Sequence, residues 1–201
     1  DVCSSDLQAH ALLTAPGSPF EMETAEIDGR LLRTWKNAPP SLPAILLASR
    51  AHGERDCIVL GDERMSFEGQ YRAACTLARV LCEDHGIARG DRVAIAMRNL
   101  PEWSVAFWAI SACGAVAVPL NAWCTGPELA FMLADAGVRV AITDHERLLR
   151  IAPERAALPA LAALIVTRAP PDAALHGARR WEDAVGEVAR YASLPDTALP
   201  A

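Results

Sequence analysis

Lysine is almost missing from this chain. Of 19 basic residues only Lys36 is a lysine. A phosphate-cradling loop is a glycine-rich run that ends on lysine. Lys36 instead sits in Trp35-Lys36-Asn37-Ala38-Pro39, with no glycine beside it. Gly-x-Gly-x-x-Gly and Gly-x-Ser-x-Gly are missing as well, which removes the dinucleotide fingerprint and the hydrolase nucleophile elbow. The histidines, His10, His52, His85, His145 and His176, are scattered without metal-ligand spacing. No run of basic residues is present, and the formal net charge is -6. That balance excludes a general nucleic-acid binder and a patch for an anionic membrane.

Paired cysteines are lacking too. Cys57, Cys75, Cys82, Cys113 and Cys124 form no Cys-x-x-Cys motif and lie among apolar residues. Such a scattered set reads as reduced thiols in a cytoplasmic protein. The neighbouring sequence offers nothing to stabilise a thiolate. Long uninterrupted apolar helices are also absent. Residues 103–126 carry no charge and reach bilayer length. Gly114 and Pro119 interrupt them, however, and Val116 and Val118 alternate with alanine. This pattern predicts a buried helix followed by a buried strand, with no transmembrane segment.

Asp1-Val-Cys-Ser-Ser-Asp-Leu7 is what GAC GTG TGC TCT TCC GAT CTN encodes, the end of a common sequencing adapter. These residues are read as translated adapter and set aside from the fold. Residues 8–40 read as an N-terminal arm, with a loop at Pro16-Gly17-Ser18-Pro19 and a stiff end at Pro39-Pro40. Ser41 can cap a helix through Ala51, with Gly53 after its end. Ile58-Val59-Leu60 and Arg64-Met65-Ser66 flank Gly61-Asp62-Glu63 as a short hairpin. Ser66 opens a long helix through Glu83, striped by Leu77, Val80 and Leu81, with Gly86 after it.

From there three units share one order: helix, glycine, apolar strand. Gly86 precedes Val93–Met97, Gly114 precedes Val116–Val118, and Gly137 precedes Val138–Ile142. Strands without a polar alternate face are buried on both sides, as parallel strands covered by helices are. The expected fold class is therefore α/β, a partial doubly wound and mostly parallel sheet with helices on both faces. Asn99-x-x-Glu102 and Thr125-x-x-Glu128 predict two capped helix starts, and Pro101 and Pro127 fit their first turns. Asp144 can cap a helix through Ile151. Leu164-Ile165-Val166 supplies one more strand. Trp181–Arg190 is expected as a short surface helix, and 194–201 as a linker.

Gly90-Asp91-Arg92-Val93, followed by Asn99, Pro101-Glu102-Trp103, Pro119-Leu120-Asn121 and Thr125-Gly126-Pro127-Glu128-Leu129, resembles the start of the adenylate-forming (AMP-binding) superfamily. Trp35-Lys36-Asn37-Ala38-Pro39-Pro40 and Ala106-Phe107-Trp108-Ala109 look like its fatty acyl-CoA synthetase branch. The resemblance covers roughly Phe20 onward. One departure is Gly69, where relatives carry a glutamate that completes a capping box. The resemblance implies that 41–201 is an incomplete large domain ending before the phosphate-binding loop. It implies a parent that joins a fatty acid to ATP, forming an acyl-adenylate, and then passes the acyl group to CoA. ATP, CoA and Mg²⁺ are the parent's implied cofactors, and the fragment itself is expected to be inactive. The alternatives are another adenylating enzyme (an aryl-CoA ligase or a peptide-synthetase adenylation domain) or a non-catalytic α/β binding or scaffold domain.

No catalytic, cofactor-binding or metal-ligating residue is carried over from that family. His145-Glu146 follows a strand end, where open α/β sheets bind ligands, but a solvent-exposed helix start explains the pair. Trp103, Phe107 and Ile110 lie at helical spacing and read as core. Trp123, just after a strand end, is the candidate for a pocket wall.

Overall fold

The computed structural model describes residues 2–199. Contacts divide the chain into two units, Asp1–Ser41 and Leu42–Ala201. The first holds α1 (Val2–Leu13) and an antiparallel hairpin of β1 (Met22–Ile27) and β2 (Arg30–Trp35). Asp28 and Gly29 both take positive φ, 49° and 74°, as a two-residue hairpin turn requires. Lys36 Nζ donates to Glu21 Oε1 at 2.9 Å. The strands of this unit alternate no apolar face against a core, and none of their residues is buried, so patterning alone shows them as an arm. Helix α1 runs across the boundary drawn after Leu7.

The second unit opens with α2 (Leu42–Ser49), continued by a 3-10 turn at Arg50–His52. A hairpin follows, β3 (Asp56–Leu60) with β4 (Glu63–Ser66). Gly61 turns it at φ 57°, a conformation that costs glycine little. The Ser66 hydroxyl then accepts the Gly69 N–H at 3.0 Å and starts α3 (Phe67–Arg79). The missing glutamate at position 69 leaves that half of the cap intact. A Cβ on Gly69 would stand 3.3 Å from the Ala192 backbone nitrogen, so a glycine suits the close approach there. The helix passes at Val80–Asp84 into a π-helical turn, where sequence periodicity predicted plain α-helix.

The rest is a five-stranded, fully parallel sheet. Its strands are β5 (Arg92–Ala96), β6 (Val116–Pro119), β7 (Val140–Asp144), β8 (Ala163–Thr167) and β9 (Arg179–Arg180), in the order β6-β5-β7-β8-β9. Between them lie α4 (Pro101–Ala112), α5 (Gly126–Asp135), α6 (His145–Ile151) and α7 (Trp181–Ala184). Alternate residues of β5 and β7 face opposite cores. Val93, Ile95, Val140 and Ile142 pack with α3 and α4, whereas Ala94, Ala96 and Ala141 pack with α5 and α6. All of these are fully buried. This is the doubly wound arrangement that the uninterrupted apolar strands implied.

Several local expectations need correction. β6 was expected to be buried on both faces, but it forms the sheet edge and Val116 is exposed. Asn99 does not cap α4. Pro101 holds the preceding Leu100 extended, at φ -103° and ψ 158°, so Leu100 takes the cap position and Asn99 lies one residue too far out. Trp181–Arg190 is not a surface helix. It is a four-residue helix followed by a 3-10 turn at Val188–Ser193, and Trp181 and Tyr191 are buried with Trp181 Nε1 donating to Tyr191 Oη at 2.7 Å. The stretch after Leu194 is no free linker either: Arg72 donates to the Leu194 carbonyl at 2.6 Å, and Arg50 pairs with Asp196 at 2.9 Å.

Candidate functional site

A doubly wound sheet binds ligands beyond the carboxyl ends of its strands, where neighbouring connections leave for opposite faces. Here that point lies between β5 and β7. The chain leaves β5 through α4 on one face and leaves β7 through α6 on the other. Asp144 closes the gap. It caps α6 by accepting the Arg147 N–H at Oδ1, and its Oδ2 accepts the Arg98 N–H and Arg147 Nη1, each at 3.0 Å. One carboxylate thus ties the end of β5, the end of β7 and a helix start.

Arg147 is the unexpected member. Its side chain is 1% exposed. Nε donates to the Ala122 carbonyl at 2.7 Å, and Nη1 also reaches Glu146 at 2.9 Å. Arg150 donates to the Cys124 carbonyl at 2.7 Å and pairs with the same Glu146. The two arginines therefore hold the loop of residues 120–125 against α6. Glu146, flagged beside His145 in the sequence, is an exposed ion-pair partner. Trp123 is not an enclosed pocket wall; it is largely exposed, and the Arg98 guanidinium lies 4.0 Å over its ring. Trp103 and Phe107 stack at 5.8 Å against the core that buries Ile110.

A second charged cluster stands at the same sheet edge, beyond β8. Glu102, nearly fully buried in the first turn of α4, accepts Thr167 Oγ1 at 3.0 Å and Arg168 Nε at 2.6 Å. Arg168, at φ 60°, bridges on to Glu63 with two bonds of 2.6 and 2.8 Å. Hydrogen bonds donated to Glu63 and then to Glu102 hold the guanidinium firmly protonated, and Arg168 in turn lowers the Glu63 carboxyl. These residues line an open cleft of about 850 Å³ that also includes Asp62, Arg64 and Glu182. Sequence reading placed Glu102 in a cap; its burial shows only once β8 is set beside α4.

The opposite, amino end of the sheet explains the Gly90-Asp91-Arg92 turn. Asp91 accepts the Ala88 N–H at 2.9 Å and pairs with Arg139. Arg92 donates to the Ala136, Gly137 and Gly90 carbonyls at 3.0, 3.1 and 3.2 Å. The turn thus bolts the end of α5 to β5. At the start of α5, the Thr125 N–H donates to the Glu128 carboxylate at 2.7 Å, as the sequence predicted.

Chemically, the carboxyl edge offers guanidinium–carboxylate clamps. Among the described residues no group of three or more His, Cys, Asp or Glu side chains is placed to hold a metal ion. The single lysine lies in the hairpin unit. No helix among the described residues is long and apolar enough to cross a membrane.

Comparison with known proteins gives a consistent picture. The family model described as AMP-binding enzyme matches residues 47–198. A long-chain-fatty-acid–CoA ligase, FadD13 of Mycobacterium tuberculosis, is 42% identical over 81 residues, 40% of this chain and 16% of that ligase. 4-Coumarate–CoA ligase 2 of Oryza sativa subsp. japonica is 37% identical over 73 residues, 36% of this chain and 12% of its own. The chain thus matches only a small part of the length of these relatives. Among solved structures, the anthranilate CoA ligase AuaEII in complex with anthranoyl-AMP aligns with TM-score 0.67 and 25% identity, covering 72% of this chain and 27% of that one. The inhibitor-bound N-terminal domain of FACL13 from Mycobacterium tuberculosis aligns with TM-score 0.63 and 27% identity, covering 80% and 37%.

Proposed function

The chain belongs to the AMP-binding enzyme family, and from that premise we propose that it is the N-terminal part of an ATP-dependent acyl-CoA synthetase acting on a fatty acid. The reaction proposed for the parent joins a carboxylate to ATP with release of pyrophosphate, then transfers the acyl group to the thiol of CoA. ATP, CoA and Mg²⁺ belong to that parent, as does a cytoplasmic location. The observation that carries the reading is the match over residues 47–198 on a doubly wound parallel sheet. The preference for a fatty acid over an aryl acid rests on the 42% identity to a fatty-acid ligase against 37% to a coumarate ligase.

In this reading residues 42–199 are scaffold. The Arg92 and Arg139 clamps fix the amino edge of the sheet, and the Asp144 and Glu102 clusters fix the carboxyl edge. None of these groups is free to act as a nucleophile or proton carrier, because each is already engaged by an opposite charge or a backbone carbonyl. The 201-residue chain is accordingly expected to form no acyl-adenylate. The test is to read the coding sequence past Ala201, express the longer protein and assay ATP–pyrophosphate exchange with a fatty acid, 4-coumarate and benzoate. Exchange by the longer protein with the fatty acid, and none by the present chain, is the expected result. Exchange by the present chain sinks the scaffold reading, and a preference for an aryl acid moves the parent to the aryl branch. A stop codon at that point favours a scaffold domain in its own right.

A further inference from the structure

Two cysteines that are far apart in sequence meet at the end of α3. Cys82 lies on the π-helical turn Val80–Asp84, and Cys113 is the residue that closes α4. Their sulfurs stand 3.2 Å apart although 31 residues separate them. A disulfide bond is about 2.05 Å long, so closure asks for roughly 1 Å of sulfur movement. The π-helical turn, a feature that gathers at functional sites, lies where that movement is needed. Both cysteines are free and partly buried.

Access is built in on one side. An open groove of about 440 Å³, lined by Arg79, Cys82, Glu83, Thr197 and Ala198, reaches Cys82. Cys113 is not part of its lining and also contacts the Ala78 carbonyl at 3.4 Å. Burial first, and then the adjoining Cys82 sulfur, push the Cys113 thiol up. The pair is therefore asymmetric: Cys82 lines the groove, and Cys113, with its thiol pushed up, does not. Cys75 is buried within α3, and burial raises both it and Cys57.

We propose that Cys82 and Cys113 form a dithiol redox site that closes to an intramolecular disulfide by exchange with a small-molecule disulfide of the glutathione type. Cys82, as its thiolate, attacks one sulfur of the reagent; the reagent's S–S bond breaks and one thiolate leaves. Cys113 then gives up its proton to water and attacks Cys82 Sγ, expelling the second reagent thiolate, and both expelled thiolates take up protons from water. Two protein thiols are oxidised and one reagent disulfide is reduced to two thiols. The product staples the end of α3 to the end of α4, and excess reduced thiol reverses it.

The experiment uses the full chain with Cys3→Ser, so that the N-terminal thiol cannot compete. The folded protein is incubated with oxidised glutathione, free thiols are alkylated, and peptides are mapped by mass spectrometry without reduction. The expected product joins the peptides that carry Cys82 and Cys113, has lost two hydrogens, and leaves Cys57, Cys75 and Cys124 alkylated. With Cys113→Ser the reaction stops at a glutathione adduct on Cys82; with Cys82→Ser neither position reacts. Circular dichroism of both variants checks that the helices persist. A lasting adduct on Cys82 in the parent protein with Cys113 still alkylated overturns the proposal. So does pairing with Cys57, Cys75 or Cys124, or an unreacted protein whose thiols all oxidise once it is unfolded in guanidinium.

Discussion

Replacing Asp144 with alanine removes three acceptor contacts at once, to the Arg98 N–H, the Arg147 N–H and Arg147 Nη1. It also strands a guanidinium that is 1% exposed. Breaking a buried ion pair by deleting one partner costs about 3–5 kcal/mol, chiefly because the surviving charge stays buried. The lost helix cap contributes about 1 kcal/mol within that range. Glu146 offsets little, since an exposed carboxylate repays little of the desolvation. For a chain of this size each kcal/mol moves Tm by about 2–4 °C, so Asp144→Ala lowers Tm by roughly 6–20 °C. Asp144→Asn keeps an acceptor for the helix start but loses the charge and sets an amide donor against the Arg98 N–H and Arg147 Nη1, so it recovers only the cap and falls between the parent and alanine. The double variant Asp144→Ala/Arg147→Met removes both charges and recovers part of the loss. Thermal and urea unfolding followed by circular dichroism measures all three. A drop under about 1 kcal/mol for Asp144→Ala, or a double variant less stable than the single one, refutes the clamp.

Three further outcomes are expected. Arg50 first, and Arg72 after it, hold the Glu68 carboxyl down at about 2, so its contribution to stability is full above pH 4.5 and is lost as pH falls towards 2. The gap in urea midpoint between the parent and Glu68→Gln should therefore shrink steadily across that window, and a gap independent of pH would count against the pairing. A Cβ at Gly126 would lie 2.5 Å from the Arg150 carbonyl oxygen. Gly126→Ala should thus cost about 1–3 kcal/mol despite alanine's better helix propensity, and a stabilised variant in urea unfolding would show that α5 shifts freely. Deleting residues 1–7 should leave the melting temperature of the larger unit unchanged within error, whereas a clear drop would make that segment structural.

What could be read from the sequence was whatever short-range patterning encodes. Runs such as Val93–Ala96 and Val140–Ile142 have no polar face, so burial on both sides followed directly. Asp144 and Thr125 announced helix starts because a cap needs only its own next three residues. The errors came where the deciding partner is distant. The place of β6 at the edge depends on strand order, which its alternating valines do not encode. Trp181 looked like a surface residue because Tyr191, its hydrogen-bond acceptor, follows a break in the helix. The burial of Arg147 depends on the Ala122 carbonyl, 25 residues earlier, and the Cys82–Cys113 contact on the packing of α3 against α4. Sequence gave Asp144 a local role and could not show that it also holds the Arg98 amide across the crevice.

The strand order β6-β5-β7 also sets a schedule for a chain emerging from the ribosome. β5 is made first yet ends between two strands made after it, β6 on one flank and β7 on the other. Its partner Val140 is synthesised roughly 50 residues after Val93, which at about 5–20 residues per second leaves that flank open for about 3–10 seconds. Throughout that interval Val93 and Ile95 belong to an apolar strand with an unsatisfied ladder, the form most prone to pair with a neighbouring nascent chain. β5, an interior strand flanked on both sides by strands made after it, is thus the one that must be shielded longest while the protein is being made.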